Sequence, residues 1–396
     1  MKRVLIVDDD VAVTNYFMVF LVQTGLYEPV VANDSREVEG LLAGQTFEAV
    51  LLDMDMPNVS GMDILRSMRA KGDDTPVVVV TGVSDVDLAV RAMKLGAFDY
   101  LTKPVDEQNL LQVLENAIEQ RALHRTIDQL PKKLTRQDLA HPAAFHPLPT
   151  QYDGMIRLFH QAERLAASDV SIFIWGEGGT GKESIARAIH QASPRNASPF
   201  VAVEADSQDP ERFPAFFFGQ ARDRGGEREE TPGLVEQAEG GTIFLDNIEM
   251  LTMPMQVKLK RLIQRGEYYR ENATTVRKAD VRMIAASKHD LTRSHHKENF
   301  SRDLLYHLMI NSIRIPPLRE RTGDIPLLLG LFLEEEAARA GKRITGYSPE
   351  CMELLRRYDY PDNVQELMTI VAGAVAKEDT EAITVESLPP HVRERS

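Results

Sequence analysis

Cysteine is almost missing: Cys351 is the single one in 396 residues, so no internal disulfide holds this chain together. No apolar run reaches the roughly 18 residues needed to cross a bilayer. The short basic start is followed at once by Asp8, Asp9 and Asp10, which excludes a signal peptide, and a cytoplasmic location is expected. Positive charge is also in deficit. A formal net charge of −14 argues against sequence-independent binding to phosphate backbones. What remains is a chain 43% apolar and 27% charged, enough for two or three domains with full cores.

The apolar runs VLIV, AVLLD, PVVVVTG and FDYLTKP alternate with helical patterns such as DVDLAVRAMKLG. That order predicts an α/β domain, a doubly wound parallel sheet whose site lies at the carboxyl ends of its strands. Asp8 and Asp9 leave the first strand, Asp53 the third, Thr81 the fourth and Lys103 the fifth. Carboxylates suit a hard cation such as Mg²⁺, which keeps positions open for a phosphoryl group. Asp53 is then the phosphoryl acceptor, Lys103 neutralises a phosphoryl oxygen and the Thr81 hydroxyl bonds another. A helix from about Asp106 to Thr126 carries Leu110, Leu114, Ala117, Ile118 and Leu123 as a stripe that packs on the sheet or continues as a dimer seam.

On these residues, positions 1–121 resemble the flavodoxin-like receiver domain of two-component response regulators. The resemblance implies an acid pair at Asp8 and Asp9, phosphorylation of Asp53, switch residues Thr81 and Tyr100, and a lysine at Lys103 followed by Pro104. It also implies a metal held by Asp8, Asp9, Asp53 and the carbonyl of Asp55. A sensor histidine kinase or phosphotransfer protein is the implied partner, and the receiver is expected to catalyse its own phosphorylation and dephosphorylation.

Residues 122–150 contain Pro131, Pro142, Pro147 and Pro149 and read as an interdomain linker. Its His124, His141 and His146 lack partners at metal-ligand spacing. Beyond it, Gly176 to Lys182 fits G-x-x-x-x-G-K between an apolar strand and a helical pattern. The cradle is Gly176, Glu177, Gly178, Gly179, Thr180, Gly181 and Lys182. Its backbone N–H groups surround a β-phosphate at a helix N-terminus while the lysine reaches the β/γ oxygens of ATP. Glu183 replaces the usual Ser/Thr. The run GGTIFLD ends in Asp246, suited to hold Mg²⁺ through water. Asn247 stands where a hydrolase of this layout keeps a glutamate, and an amide cannot deprotonate water.

With GEGGTGKE, EQAEGGTIFLD, GEYYR, DVRMIAAS and PPLRERTGDIPLL in order, residues 153–391 resemble the AAA+ domain of bacterial sigma-54 enhancer-binding activators. The implied division is a P-loop α/β subdomain at 151–320 and a helical lid at 321–396. Five of the family's functional positions are altered here. Besides Asn247, Lys288 replaces a sensor asparagine, Ser301 and His307 replace arginines donated to a neighbouring subunit, and Gln365 replaces a lid arginine. Arg302 lies beside the first of these but is rotated by about 100° along a helix. A lost base costs roughly 10²- to 10⁴-fold and a lost arginine finger roughly 10³- to 10⁵-fold. Lys288 is positioned to neutralise γ-phosphate charge and favour retained nucleotide.

The family's sigma-contacting loop falls on residues 221–232, which hold no aromatic. Arg222, Arg224 and Arg228 there oppose Asp223, Glu227, Glu229 and Glu230, a solvated charged loop unsuited to engaging the sigma factor. Family members continue past the equivalent of Ser396 into a helix-turn-helix, so direct operator binding is not expected. His289, His295 and His296 with Cys351 fit no common zinc spacing, and Cys351 reads as a core thiol.

The expected protein is a phosphorylation-switched regulator with an ATP-binding, poorly hydrolysing domain. It acts by contact with an intact AAA+ activator, another regulator, or copies of itself as a dimer or ring. The competing expectation is an active ATP-dependent sigma-54 transcriptional activator.

Overall fold

A computed structural model of the protein describes all residues except 83–90, 129–130, 132–133, 225–226, 292–299 and 395–396, and only the backbone at 124, 126, 128, 222–224, 227–229, 302, 303 and 306. It forms two units, Met1–Leu130 and Pro131–Ser396.

In the first unit β1 (Lys2–Val7), β2 (Tyr27–Ala32), β3 (Ala49–Asp53), β4 (Val77–Thr81) and β5 (Asp99–Thr102) lie parallel in the order β2-β1-β3-β4-β5. The apolar runs become strands because both faces of this sheet are covered; every residue of β3 and β4 is buried. Strand order reverses between β1 and β3, where the carboxyl ends leave a crevice. Helix α1 (Val11–Gln23) is capped by Asp10, whose carboxylate accepts from the Ala12 N–H at 2.8 Å. The Glu107–Asp128 helix buries Leu110, Leu114, Ala117 and Ile118 in the sheet core, so this part of the stripe packs on its own domain. Half of the DVDLAVRAMKLG pattern, residues 85–90, falls outside the described residues; 91–94 are helical.

Helix α2 (Val38–Gly44) precedes β3, and α3 (Gly61–Ala70) follows it, starting against the end of β3. A Cβ on Gly61 would lie 2.1 Å from the Asp53 carbonyl oxygen. Only glycine permits this approach, which fixes the backbone that carries Asp53.

The second unit is built on five parallel strands in the spatial order Ser312–Arg314, Ile172–Trp175, Arg282–Ser287, Thr242–Asp246 and Phe200–Glu204. Phe173, Ile243, Leu245, Met283 and Ala285 from these strands pack with Phe217 and Phe218 in the core. A helical lid follows, with Leu328, Leu329, Leu367, Ile370 and Val371 at its centre. Cys351 is fully buried there, and burial pushes its thiol up to about 12.

Two segments differ from their sequence description. Residues 134–150 are docked: Phe145 is fully buried with its ring 5.1 Å from Phe159, and Thr150 donates to Asp324 at 2.6 Å. The prolines stop a helix but leave Leu139, Ala144 and Phe145 free to fill a groove. The tract 220–231 is an antiparallel hairpin, Gln220–Arg224 against Glu227–Thr231. Arg270 at its base forms ion pairs with Glu230 and Glu236. A Cβ on Gly233 would meet the Gly219 nitrogen at 2.2 Å, so the base closes backbone to backbone.

Substituting Gly61→Ala is expected to cost the receiver about 1–3 kcal/mol by overpacking and to slow phosphoryl transfer to Asp53. Urea unfolding and labelling with a small-molecule phosphodonor measure both.

Candidate functional site

At the carboxyl edge of the first sheet, Lys103 Nζ donates to Asp8 Oδ2 and to Asp53 Oδ1, both at 2.7 Å. The second Asp53 oxygen accepts from the Asp55 N–H at 2.8 Å, and Asp8 Oδ1 accepts from the Asp10 N–H at 2.9 Å. Asp8 and Asp53 are 2% and 5% exposed, so their charges are poorly hydrated. Burial pushes the Asp53 carboxyl upward and Asp8 adds to this, against the pull of Lys103. Burial opposes the charge on Lys103 as well, but its bonds to the two aspartates prevail and raise its pKa.

Carboxylate oxygens of Asp8, Asp9 and Asp53 all lie within 4.8 Å of one another. Three acids face one ammonium, and this excess of negative charge on oxygen donors fits a hard divalent cation. Asp8, Asp9 and Asp53 are the side chains that would hold Mg²⁺. Thr81 is buried at the end of β4, and its carbonyl accepts the Lys103 N–H at 2.8 Å. Tyr100 is half-buried on β5. The fold thus brings the acids, Thr81 and Lys103 to one rim.

In the second unit the phosphate loop turns through Gly179 and Gly181, at φ +68° and +97°, into the helix Lys182–Gln191. Lys182 is 6% exposed, and its ammonium donates to the carbonyls of Gly176 and Glu177 at 3.3 and 3.4 Å. Burial depresses its pKa and Lys288 lowers it further, while Asp246 and Glu249 oppose the shift. Glu183 is turned along the helix to Arg187, at 2.6 and 2.8 Å. The Glu177 carboxylate is engaged by Arg319. Both glutamates therefore offer the cradle their backbone rather than their carboxylates.

Asn247 adopts a left-handed backbone, φ +55°, which asparagine tolerates better than most residues. Its Nδ2 donates to Asp206 Oδ1 at 3.0 Å, while its own Oδ1 is buried with no partner among the described residues. The amide is thus fastened to Asp206. Ser301 caps the helix Arg302–Met309 and its N–H is held by Gln256 at 2.6 Å, and the His307 ring contacts the Gln264 amide. Gln365 is exposed at the head of the lid helix Asn363–Lys377, with its Cβ 2.9 Å from where a Cβ on Gly179 would stand. His295, His296 and the Arg302 side chain lie outside the described residues.

Glu249 escaped the sequence reading. It lies in the 3₁₀ turn Ile248–Met250, three residues after Asp246, which ends the preceding strand. One of its oxygens accepts from the Lys288 N–H at 3.3 Å; the other is buried without a partner among the described residues. Spacing from Asp246 was the available signal.

Asp53 has a raised pKa, so its ionised form is disfavoured by folding: stability is fully present below the unfolded value of 3.8 and is lost as pH rises through the folded one. In chelator at pH 7, Asp53→Asn is expected to melt above the wild type, and the difference vanishes near pH 3. Mg²⁺ should raise the wild-type melting temperature and do less for the variant. Scanning calorimetry with and without chelator checks both.

Residues 4–115 match the response regulator receiver domain, 148–314 the sigma-54 interaction domain, and 319–396 the AAA+ ATPase lid domain. The chain is 35% identical over 387 residues to the transcriptional regulatory protein ZraR of Escherichia coli, covering 98% of this chain and 85% of that protein. It is 36% identical over 387 residues to the alginate biosynthesis transcriptional regulatory protein AlgB of Pseudomonas aeruginosa, covering 98% and 84%. The crystal structure of NtrX from Brucella abortus in complex with ATP matches with a TM-score of 0.58 at 28% identity, covering 99% of this chain and 85% of that one. A receiver sheet with its acid pocket, a P-loop sheet and a helical lid therefore place the chain in the family of sigma-54-type response regulators.

Proposed function

We propose that this response regulator is phosphorylated on Asp53 and that its nucleotide-binding domain retains ATP without efficient hydrolysis, acting through contact with another protein rather than with DNA. The observation that carries the reading is the bond between Asn247 and Asp206. No base stands at position 247, and the amide's NH2 group is committed to Asp206. Ser301 and His307 are engaged within the chain and carry no guanidinium for a neighbouring site.

In the receiver, the Asp53 carboxylate attacks the phosphorus of a phosphorylated kinase or phosphotransfer partner, forming an O–P bond as the P–N bond breaks and the imidazole of the partner's histidine leaves. Lys103, anchored by Asp8, stays with a phosphoryl oxygen, and the Thr81 hydroxyl bonds another. Mg²⁺, when bound, supplies the charge that lets anionic phosphate approach anionic carboxylates. Phosphorylation leaves about −1.5 to −2 charge there, and Thr81 and Tyr100 respond to it. The partners are a sensor histidine kinase or phosphotransfer protein upstream and another regulator or AAA+ activator downstream. Assembly is as a dimer or ring, and the chain's net charge of −14 does not favour a nucleic-acid partner.

Glu249 favours a second reading, an active sigma-54 activator. Its half-buried carboxylate lies within electrostatic reach of Lys182 and is a candidate base. Phosphate release by the full chain separates the two. The expected result is nucleotide binding with no turnover above a Lys182→Ala control; brisk turnover abolished by Glu249→Gln would establish the second reading. Asn247→Glu would set a carboxylate against Asp206. It is expected to lower the melting temperature without conferring turnover, and adding Asp206→Asn should restore the melting temperature.

A further inference from the structure

The phosphate loop is held from outside by the lid. Arg319 donates Nη1 to Glu177 Oε2 at 2.6 Å and Nη2 to Glu177 Oε1 at 2.5 Å, a two-point guanidinium–carboxylate pair. Asn363, fully buried, donates Nδ2 to the Gly178 carbonyl at 2.9 Å and accepts from the Leu318 N–H at 2.7 Å. The Val364 N–H donates to the Gly179 carbonyl at 3.0 Å, and Arg321 donates to the Thr180 carbonyl at 3.4 Å. Three consecutive carbonyls of the loop are thus taken by residues of the lid and its approach.

The contact is also close. A Cβ on Gly179 would lie 2.0 Å from the Asp362 carbonyl oxygen. Tyr360 and Asn363 hold left-handed backbones, φ +50° and +52°, in the turn that delivers these groups. For a tyrosine that conformation is costly and persists only where surrounding contacts enforce it. The Tyr360 hydroxyl bonds the Leu355 carbonyl at 2.7 Å, and its ring meets Tyr358 edge-on at 5.1 Å.

We infer that Arg319 and Asn363 are positioning residues that clasp the lid to the phosphate loop at Glu177–Thr180 and thereby set the rate at which nucleotide leaves; this rests on the reading that the loop holds nucleotide. Each of these bonds joins two groups of the protein. With the carbonyls of Gly178, Gly179 and Thr180 tied outward, the loop cannot lift from a bound phosphate until the lid swings away. The Arg319–Glu177 pair is half-exposed, which limits what it contributes alone. Asn363 supplies the buried part.

Dissociation of a fluorescent ADP from the full-length protein tests this by stopped flow. Arg319→Ala and Glu177→Ala are each expected to speed release about tenfold, with the double variant no faster than either because both remove one interaction. The exchanged pair Glu177→Arg with Arg319→Glu should recover part of the slow release. Asn363→Gly keeps the left-handed backbone, deletes the amide and should also speed release. Unchanged release in folded Arg319→Ala and Asn363→Gly proteins overturns the inference.

Amide hydrogen exchange across residues 362–366 without nucleotide gives an independent readout. Faster exchange in Arg319→Ala supports the clasp and equal exchange overturns it. A wild type that binds no nucleotide defeats the nucleotide-holding reading and the control of release, while exchange still reports whether the lid is fastened.

Discussion

A single ammonium shared between two buried aspartates organises the receiver. Lys103 lies 2.7 Å from both Asp8 and Asp53, and Asp9 adds a third carboxylate to the same pocket. One positive charge does not balance two poorly hydrated carboxylates with an exposed third beside them. Further positive charge therefore stabilises the pocket, and it is sensitive to any change of charge at Asp53. That sensitivity suits a switch of the kind proposed, in which a phosphoryl group would add charge at Asp53.

The second unit repeats the arrangement with the opposite balance. Lys182 also stands at the carboxyl edge of a parallel sheet, but its nearest acceptors are carbonyl oxygens, and burial depresses its pKa where carboxylate bonds raise that of Lys103. An under-neutralised lysine at a helix N-terminus suits a phosphate ligand. Both sites follow from one property of parallel sheets: every strand delivers its carboxyl end to the same edge, so residues far apart in sequence meet there.

Holding and hydrolysing are separable demands. Holding needs the turn through Gly179 and Gly181, the lysine and the helix end, all of which are present. On the proposed reading, hydrolysis is limited at Asn247, Ser301 and His307, where a base and a neighbour's positive charge would be supplied. Asn247 is built into a local bond with Asp206, so its replacement is woven into the fold rather than being an isolated loss.

Local sequence determined much of this. Both-sided burial wrote the strands as continuous apolar runs, and short-range geometry wrote the phosphate loop as G-x-x-x-x-G-K, so the alternating order of the first sheet, two strands of the second and the lysine-bearing loop were legible from residues alone. Asp8, Asp53 and Lys103 could be grouped in advance because strand ends converge in this topology. What tertiary structure decided concerns groups whose partners lie far away along the chain. The docking of 134–150, the tie of Asn247 to Asp206 across 41 positions and the grip of Arg319 on Glu177 across 142 depend on how elements pack. A side chain's local context fixes the conformation it favours, but its partner is set only when the core has brought distant backbone within hydrogen-bonding distance.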